Sequence, residues 1–276
     1  MLREGFFDKI YYRYWEVDNK LDAIGNVFVI HGLGGHSIWF DQLAKVLNQN
    51  NINCFSFDLP GFGQSKYPKG EIDSYMTWVD TTKEVLKNFL LQFQVMSPVF
   101  ILGHSMGASI AVLLNEKVKA NGWILSVPGF KGDERTFPLV GFVLPTLFKA
   151  LIKSKETVIL PFGPELLTKN KKTQNKIKKD PLRVINVSPE LLKEVYFLNR
   201  KAKRSHDLLN EPVVLLLAGK DTVCSNQASE KFYNEIKAPD KSKKIYTESL
   251  HDLLVEDEIN QIAQDIADWA KLRVSI

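Results

Sequence analysis

Apolar residues along the 276-residue chain fall into short unbroken runs, separated by longer stretches in which they recur every three or four positions. The runs cover 26–30 (NVFVI), 53–57 (NCFSF), 98–102 (PVFIL), 122–127 (GWILSV) and 213–218 (VVLLLA). Continuous rather than alternating apolarity suits strands buried on both faces of a parallel sheet. Residues 243–247 (KKIYT) read as a more exposed edge strand, and 4–18 as antiparallel strands that open the sheet. Helical periodicity fills the gaps at 37–48, 75–95, 105–119, 226–236 and 256–272. Strands alternating with helices imply right-handed crossovers and a doubly wound sheet, so the expected fold class is α/β.

The alternation breaks between Pro128 and about Asn210, a stretch with helical patches, several prolines and no good strand. It is too long for an ordinary loop. It reads as a helical cap over 129–210, inserted into a core built from 1–128 and 211–276. The cap is expected over the carboxyl ends of the strands, where open α/β sheets bind their ligands. Within it, 139–152 (LVGFVLPTLFKALI) has ten strongly apolar residues in fourteen and one lysine. That is too short to span a bilayer and too apolar around its circumference for an ordinary surface helix. Pro145 either starts this helix or breaks it. Phe142, Leu144, Leu147 and Phe148 are candidates to line an acyl-chain channel.

Composition is that of an ordinary globular protein, and a net charge of +4 is too small to argue for nucleic acid. The charge is uneven, however. Residues 131–180 carry eleven Lys and Arg against five Asp and Glu, so the rest of the chain is slightly acidic. Lys169, Lys171, Lys172, Lys176, Lys178 and Lys179 lie close behind the apolar segment, the composition of an interfacial anchor on anionic lipid. A solvated lysine face explains the same residues without lipid. The first residues lack the apolar core of a signal peptide, and no stretch approaches the ~18 apolar residues of a membrane span. The two cysteines, Cys54 and Cys224, have no metal-binding spacing. The expected location is the cytoplasm, with peripheral membrane contact through the cap.

Gly103-His104-Ser105-Met106-Gly107 matches G-x-S-x-G. Three fixed residues match a chain this long by chance about one time in ten, so context decides. A strand (PVFIL) precedes the motif and a helix (ASIAVLL) follows, the strand–turn–helix that presents a nucleophilic serine at a sharp elbow. A serine hydroxyl needs a base, and the base an orienting acid, in chain order Ser, Asp or Glu, His. Of five histidines, His31 and His36 come too early, His104 sits inside the elbow and His206 belongs to the insertion. His251, just after the last strand, is the expected base. Asp221 follows the apolar run VVLLLA and is the expected acid. Asp252 is a competitor, but its adjacency to His251 makes approach to the ring difficult. The loop His31-Gly32-Leu33-Gly34 after an early strand places the Leu33 N–H, with that of Met106, as an oxyanion hole. Residues 58–65 (DLPGFGQS) read as a structural loop shaping the same rim. Phosphate-loop, dinucleotide and H-E-x-x-H patterns are not met, so neither metal nor organic cofactor is expected.

With HGLGGHS, DLPGFGQS, GHSMG, LTKNKKTQNKIKKDPL at 167–182, GKDTVC at 219–224 and Leu250-His251, the sequence resembles the monoglyceride lipase and lysophospholipase branch of the α/β-hydrolases over essentially its full length. The resemblance implies hydrolysis of a single-chain lipid ester, monoacylglycerol or lysophospholipid, under a mobile helical cap. It also places Cys224, three residues beyond Asp221, near the substrate. One departure is Gly35, where many members of the branch carry a glutamate. Short-chain esterases, thioesterases, carbon–carbon hydrolases and peptidases share the triad and stay open as alternatives. A non-catalytic binding protein on the same fold is the reading from another class, and it often lacks a triad member.

Overall fold

The computed structural model describes residues 1–153 and 155–274. Its strands are β1 (Leu2–Phe7), β2 (Ile10–Trp15), β3 (Gly25–Ile30), β4 (Ile52–Phe57), β5 (Val99–His104), β6 (Gly122–Ser126), β7 (Val158–Ile159), β8 (Asn186–Val187), β9 (Val213–Ala218) and β10 (Lys241–Tyr246). Its helices are α1 (Asp41–Gln49), α2 (Tyr75–Gln92), α3 (Met106–Leu114), α4 (Leu144–Leu151), α5 (Pro164–Leu167), α6 (Lys171–Lys179), α7 (Pro189–Lys203), α8 (Asn226–Glu235) and α9 (Ile259–Lys271). Eight strands form one sheet in the order β1-β2-β4-β3-β5-β6-β9-β10. The pairs β1/β2 and β2/β4 are antiparallel and all the others parallel, which is the expected α/β architecture.

The unbroken apolar runs have a direct cause. Side chains alternate across a strand, so Phe28 and Ile30 enter one face of the sheet while Val27 and Val29 enter the other. The first face is covered by α2, α3, α7 and α8 through Phe89, Ile110, Leu198 and Phe232. The second is covered by α1 and α9 through Leu43, Leu47, Ile262 and Ile266. Stacked Phe28 and Phe55, with centroids 5.2 Å apart, tie β3 to β4 on the first face.

From β3 the chain steps through α1 to β4 on one side, then returns through α2 to β5 on the other. Strand order therefore reverses between β3 and β5, which opens a crevice at their carboxyl ends. His31 and Ser105 immediately follow those ends.

Several element boundaries depart from the sequence reading, α1, α2, α9 and β10 by one to four residues and α3 by more. Helix α3 stops at Leu114 because the Leu114 carbonyl takes both the Lys117 and Val118 N–H groups, at 2.8 and 3.1 Å, closing the last turn. Between β6 and β9 there is one small ladder, Val158↔Val187 and Ile159↔Asn186, two residues per strand and too short to leave a periodic signal. Pro145 lies in the first turn of α4, preceded by a π-helical turn at Leu139–Val143, so it starts the helix.

The stretch between β6 and β9 lies against the carboxyl ends of the strands and is tied there at several points. Val184 N–H donates to Gly34 O (3.1 Å), and Ser188 N–H to Gly70 O (2.8 Å). The Asp180 carboxylate accepts from His36 Nε2 (2.7 Å) and Trp39 Nε1 (2.8 Å). Leu166 O and Leu167 O accept from the His251 and Asp252 N–H groups at 3.3 and 2.8 Å.

Candidate active site

Between β5 and α3 the chain turns on Ser105, held at φ +53° and ψ −116°. A non-glycine residue there is strained, at a cost of about 1–3 kcal/mol, and persists only where its surroundings force it. They do so here. Ser105 N–H donates to Ser126 O at 2.9 Å, and Ser105 O accepts from Ala108 and Gly129 N–H, both at 3.0 Å. The flanking glycines are obligatory: a Cβ on Gly103 would lie 2.4 Å from Gly107 O, and one on Gly107 2.2 Å from Ile30 O.

His251 Nε2 lies 3.0 Å from Ser105 Oγ, and His251 Nδ1 lies 2.8 Å from Asp221 Oδ2. A carboxylate can only accept, so Nδ1 carries the proton and the Nε2 lone pair faces the serine hydroxyl. Asp221 is itself fixed, its Oδ1 accepting from the N–H groups of Val223 (2.8 Å) and Cys224 (2.9 Å). Asp252 turns the other way, with Oδ1 3.3 Å from His104 Nε2 and accepting from Leu254 N–H at 3.2 Å. Geometry thus brings together Ser105, His251 and Asp221, and leaves Asp252 on a different histidine.

Electrostatics separate the two rings. Burial pulls His251 down, but the charge and hydrogen bond of Asp221 and the charge of Asp252 outweigh it, so its pKa is raised above the ordinary 6.5. For His104 burial prevails over the attraction of Asp252, and its pKa is lowered.

The Leu33 and Met106 N–H groups donate to no protein acceptor among the described residues. Their loop is held by His31, whose Nδ1 donates to Gly32 O (2.8 Å) and whose Nε2 accepts from Leu59 N–H (2.9 Å). Burial lowers the His31 pKa to about 4, so the ring stays neutral in this bridging role. Asp58 supports the same rim by accepting from Ser37 N–H (2.8 Å) and Gln64 N–H (2.6 Å).

Two spaces meet at the serine. A compartment of about 30 Å³, bounded by Gly32, Gly35, Trp39, His104, Ser105 and His251, lies on one side. On the other is a cavity of about 790 Å³ that reaches Leu33, Ser105 and Met106. Of the residues singled out in the sequence, Phe142, Leu147 and Cys224 line it. Leu144 and Phe148 do not: they stand 51% and 62% exposed on the outer side of α4. Cys224 is buried beside the Ser105 hydroxyl, and burial pushes its thiol pKa well above the usual value.

Sequence reasoning missed Phe130, Phe137, Leu192, Val195 and Asn199, which also face this cavity. The three- and four-residue spacing of the last three marks one face of α7, but nothing local says that this face turns toward the serine. Asn199 lies beside the elbow. A Cβ on Gly129 would be 3.3 Å from Asn199 Oδ1, from Met106 N and from Ser105 C alike, and that Oδ1 is buried without a partner. Among the described residues no cluster of His, Cys, Asp and Glu could hold a metal ion.

The family model described as serine aminopeptidase, S33, matches residues 22–258. Monoglyceride lipase of Rattus norvegicus is 25% identical over 281 residues, covering 97% of this chain and 88% of that protein. The Homo sapiens monoglyceride lipase is 26% identical, covering 96% and 88%. Among solved structures, a soluble variant of monoglyceride lipase from Saccharomyces cerevisiae, in complex with a substrate analog, superposes with a TM-score of 0.86. It covers 99% of this chain and 96% of that one at 21% identity, a likeness of fold.

Proposed function

Since the chain belongs to the serine aminopeptidase S33 family of hydrolases, we propose that it is a serine carboxylic-ester hydrolase acting on single-chain lipid esters, monoacylglycerol or lysophospholipid, through an acyl-enzyme on Ser105. Its relatives include monoglyceride lipases along nearly the whole length of the chain. The observation that carries the reading is the hydrogen-bonded series Ser105–His251–Asp221, at 3.0 and 2.8 Å, opening onto the apolar walls of a 790 Å³ cavity.

In this reading His251 Nε2 takes the Ser105 proton as Oγ attacks the ester carbonyl. The developing oxyanion is held by the Leu33 and Met106 N–H groups, each such donor contributing about 3–4 kcal/mol to transition-state stabilisation. His251 then gives its proton to the leaving alcohol. The acyl chain occupies the apolar arm beside Phe137, Phe142, Leu147, Leu192 and Val195. The small compartment against Ser105 and His251 has room for the water that releases the acyl group. The segment 129–210 acts as a cap over the site.

Turnover of matched monoacylglycerols, lysophospholipids, acyl-thioesters and short nitrophenyl esters tests the proposal. Long-chain monoesters are expected to give the highest kcat/KM, with fluorophosphonate labelling confined to Ser105. A preference for acetate esters would refute the lipid assignment. Peptide hydrolysis, which the family description also brings to mind, lacks support at the site. An aminopeptidase needs a free carboxylate for the substrate ammonium, whereas the cavity carboxylates Glu134 and Glu235 are paired with Lys131 and Lys231. Aminoacyl naphthylamides should not be turned over.

The same reading includes peripheral contact with a lipid surface. Leu139, Val140, Leu144, Phe148, Leu151 and Ile152 stand exposed on and around α4, an apolar patch at the outer wall of the cavity. No helix among the described residues is long and apolar enough to cross a membrane. The lysine-rich α6 packs on α5, and α4 packs on α7. Contact therefore rests on the apolar patch, and binding to neutral as well as phosphatidylserine vesicles is expected.

A further inference from the structure

The cavity has two chemically different ends. Toward α4 its walls are Phe137, Phe142, Val143, Leu147, Leu192 and Val195. Toward the last turn of α7, the 206–208 turn and α8 they are Lys131, Arg200, Lys203, Arg204 and Lys231, with His206, Glu134 and Glu235. The two glutamates are already engaged: Lys131 is 3.2 Å from Glu134, and Lys231 and His206 lie 4.0 and 3.7 Å from Glu235. Arg200, Lys203 and Arg204 have no carboxylate partner among the described residues; Arg200 donates to the Tyr196 hydroxyl at 3.2 Å. Lys203 is half-buried, whereas Arg200 and Arg204 stand exposed at the rim of the cavity. Cations in the last turn of a helix are favourable in any case, since they face the negative end of its dipole. Lys201 meets that need from the outer face, outside the cavity. Lys203, half-buried on the cavity wall and joined there by Arg200 and Arg204, concentrates positive charge at this end of the cavity.

The elbow sits between the two ends. Asn199 flanks Ser105 and Met106, and Lys203 lies four residues further along the same face of α7, about 6 Å along the axis at 1.5 Å per residue. In a glycerol monoester, five bonds separate the ester oxygen on C1 from a phosphorus on the C3 oxygen, roughly 6 Å when extended. The lengths match.

Resting on the ester-hydrolase reading above, we propose that the basic arm formed by Arg200, Lys203 and Arg204 receives an anionic, phosphate-class head group on the alcohol side of the ester, so that the preferred substrates are anionic lysophospholipids rather than neutral monoacylglycerols. The acyl chain then lies toward α4 and the head group toward α8, with the scissile carbonyl at Ser105. Asn199, with its free acceptor, stands where the hydroxyl on the glycerol C2 would donate.

The test compares 1-oleoylglycerol 3-phosphate with 1-oleoylglycerol, both below their critical micelle concentrations, and reads the ratio of kcat/KM values, in which general damage to the enzyme cancels. The wild type is expected to favour the phosphate ester at least tenfold. Lys203→Glu and Arg204→Glu should each cut the ratio tenfold or more, Lys203→Arg should restore it, and Lys201→Glu should leave it unchanged. Glycerol 3-phosphate should inhibit turnover of the neutral ester competitively in the wild type and not in Lys203→Glu, with inorganic phosphate much weaker. Turnover of both esters at equal efficiency, with no response to Lys203→Glu, would overturn the head-group assignment and leave ester hydrolysis standing. So would inorganic phosphate inhibiting as well as glycerol 3-phosphate, since that marks a site for small anions only. Turnover of neither ester would overturn both readings.

Discussion

Ser105 holds a positive-φ backbone that its hydrogen bonds to Ser126, Ala108 and Gly129 maintain, while Gly103 and Gly107 allow β5, α3 and β3 to approach one another closely. Ser105→Ala keeps the strain and loses the nucleophile. Esterase activity should fall ~10⁴-fold or more with the fold intact, because triad members act as a unit. Ser105→Gly should be equally inactive yet more stable than Ser105→Ala by about 1 kcal/mol, since glycine tolerates positive φ; equal melting temperatures would deny that the elbow is strained. The acid is tested by charge. Asp221→Asn should cost roughly 10³–10⁴-fold in kcat by leaving Nδ1 without its acceptor. Asp252→Asn removes a charge that helps to raise His251, so its main effect should be to move the acid limb of kcat/KM to lower pH. If Asp252→Asn is the more damaging, the acid is misassigned. In the wild type that limb should lie above the ordinary 6.5, with activity rising as His251 loses its proton; a limb below 6.5 would contradict the balance of forces around the ring. The buried Cys224 thiol should alkylate slowly with maleimide at neutral pH and faster as pH rises.

At the scale of elements, most of the site could be read in the sequence because each of its residues ends a strand. Ser105 follows β5 and Asp221 lies just beyond β9, both apolar runs, while His251 follows β10, whose sequence KSKKIY has only edge-strand character. What could not be read was the direction of helix faces in the insertion. The lysines of 169–179 attract notice because they are clustered in sequence, yet α6 packs on α5, and Lys169 pairs with Glu258. The cations that do face the cavity are spread from Lys131 to Lys231 and leave no local pattern. Helix α4 poses a sharper question, because Leu147 and Phe148 are adjacent and yet only Leu147 faces the cavity. Leu147→Asp should depress turnover of every long-chain ester, dispersed or in vesicles, by tenfold or more. Phe148→Asp should weaken vesicle binding and vesicle-bound turnover while sparing dispersed substrate. Equal losses on both substrates would show that α4 supports the fold and does not meet lipid.

For the whole molecule, the doubly wound sheet was legible because buried strands have no polar face to hide, and the β7–β8 ladder was not, since two residues carry no period. Buried neutral histidines also set how the molecule responds to acid. His31 and His104 both titrate lower when folded, His31 near 4, whereas an unfolded histidine takes up its proton near 6.5. Between those values the unfolded chain binds more protons, so stability should fall as pH drops from 6.5 toward 4. Thermal melts across that window should show the decline. In His31→Gln, less stable at neutral pH, the slope should be shallower; an unchanged slope would assign it to other groups.

The bonds that tie the stretch between β6 and β9 to the sheet are unevenly spread along it. From Leu160 to Ser188 the chain is fastened through Gly34, Gly70, His36 and Trp39, and it carries in turn the backbone of His251 and Asp252. Among the described residues no such bond to the sheet holds 139–152, which packs on α7 through α4 and has many side chains exposed. A lid that swung as one piece would drag the histidine out of register with the serine at every opening. A lid in which only 139–152 lifts admits the acyl chain while the proton relay stays assembled. Amide protons of 139–152 should therefore exchange with deuterium well ahead of those of 177–187, and a covalent phosphonate on Ser105 should slow the first group while leaving the second as it was. Exchange of the two groups at one common rate would mean that every entry of substrate dismantles and rebuilds the catalytic histidine's support.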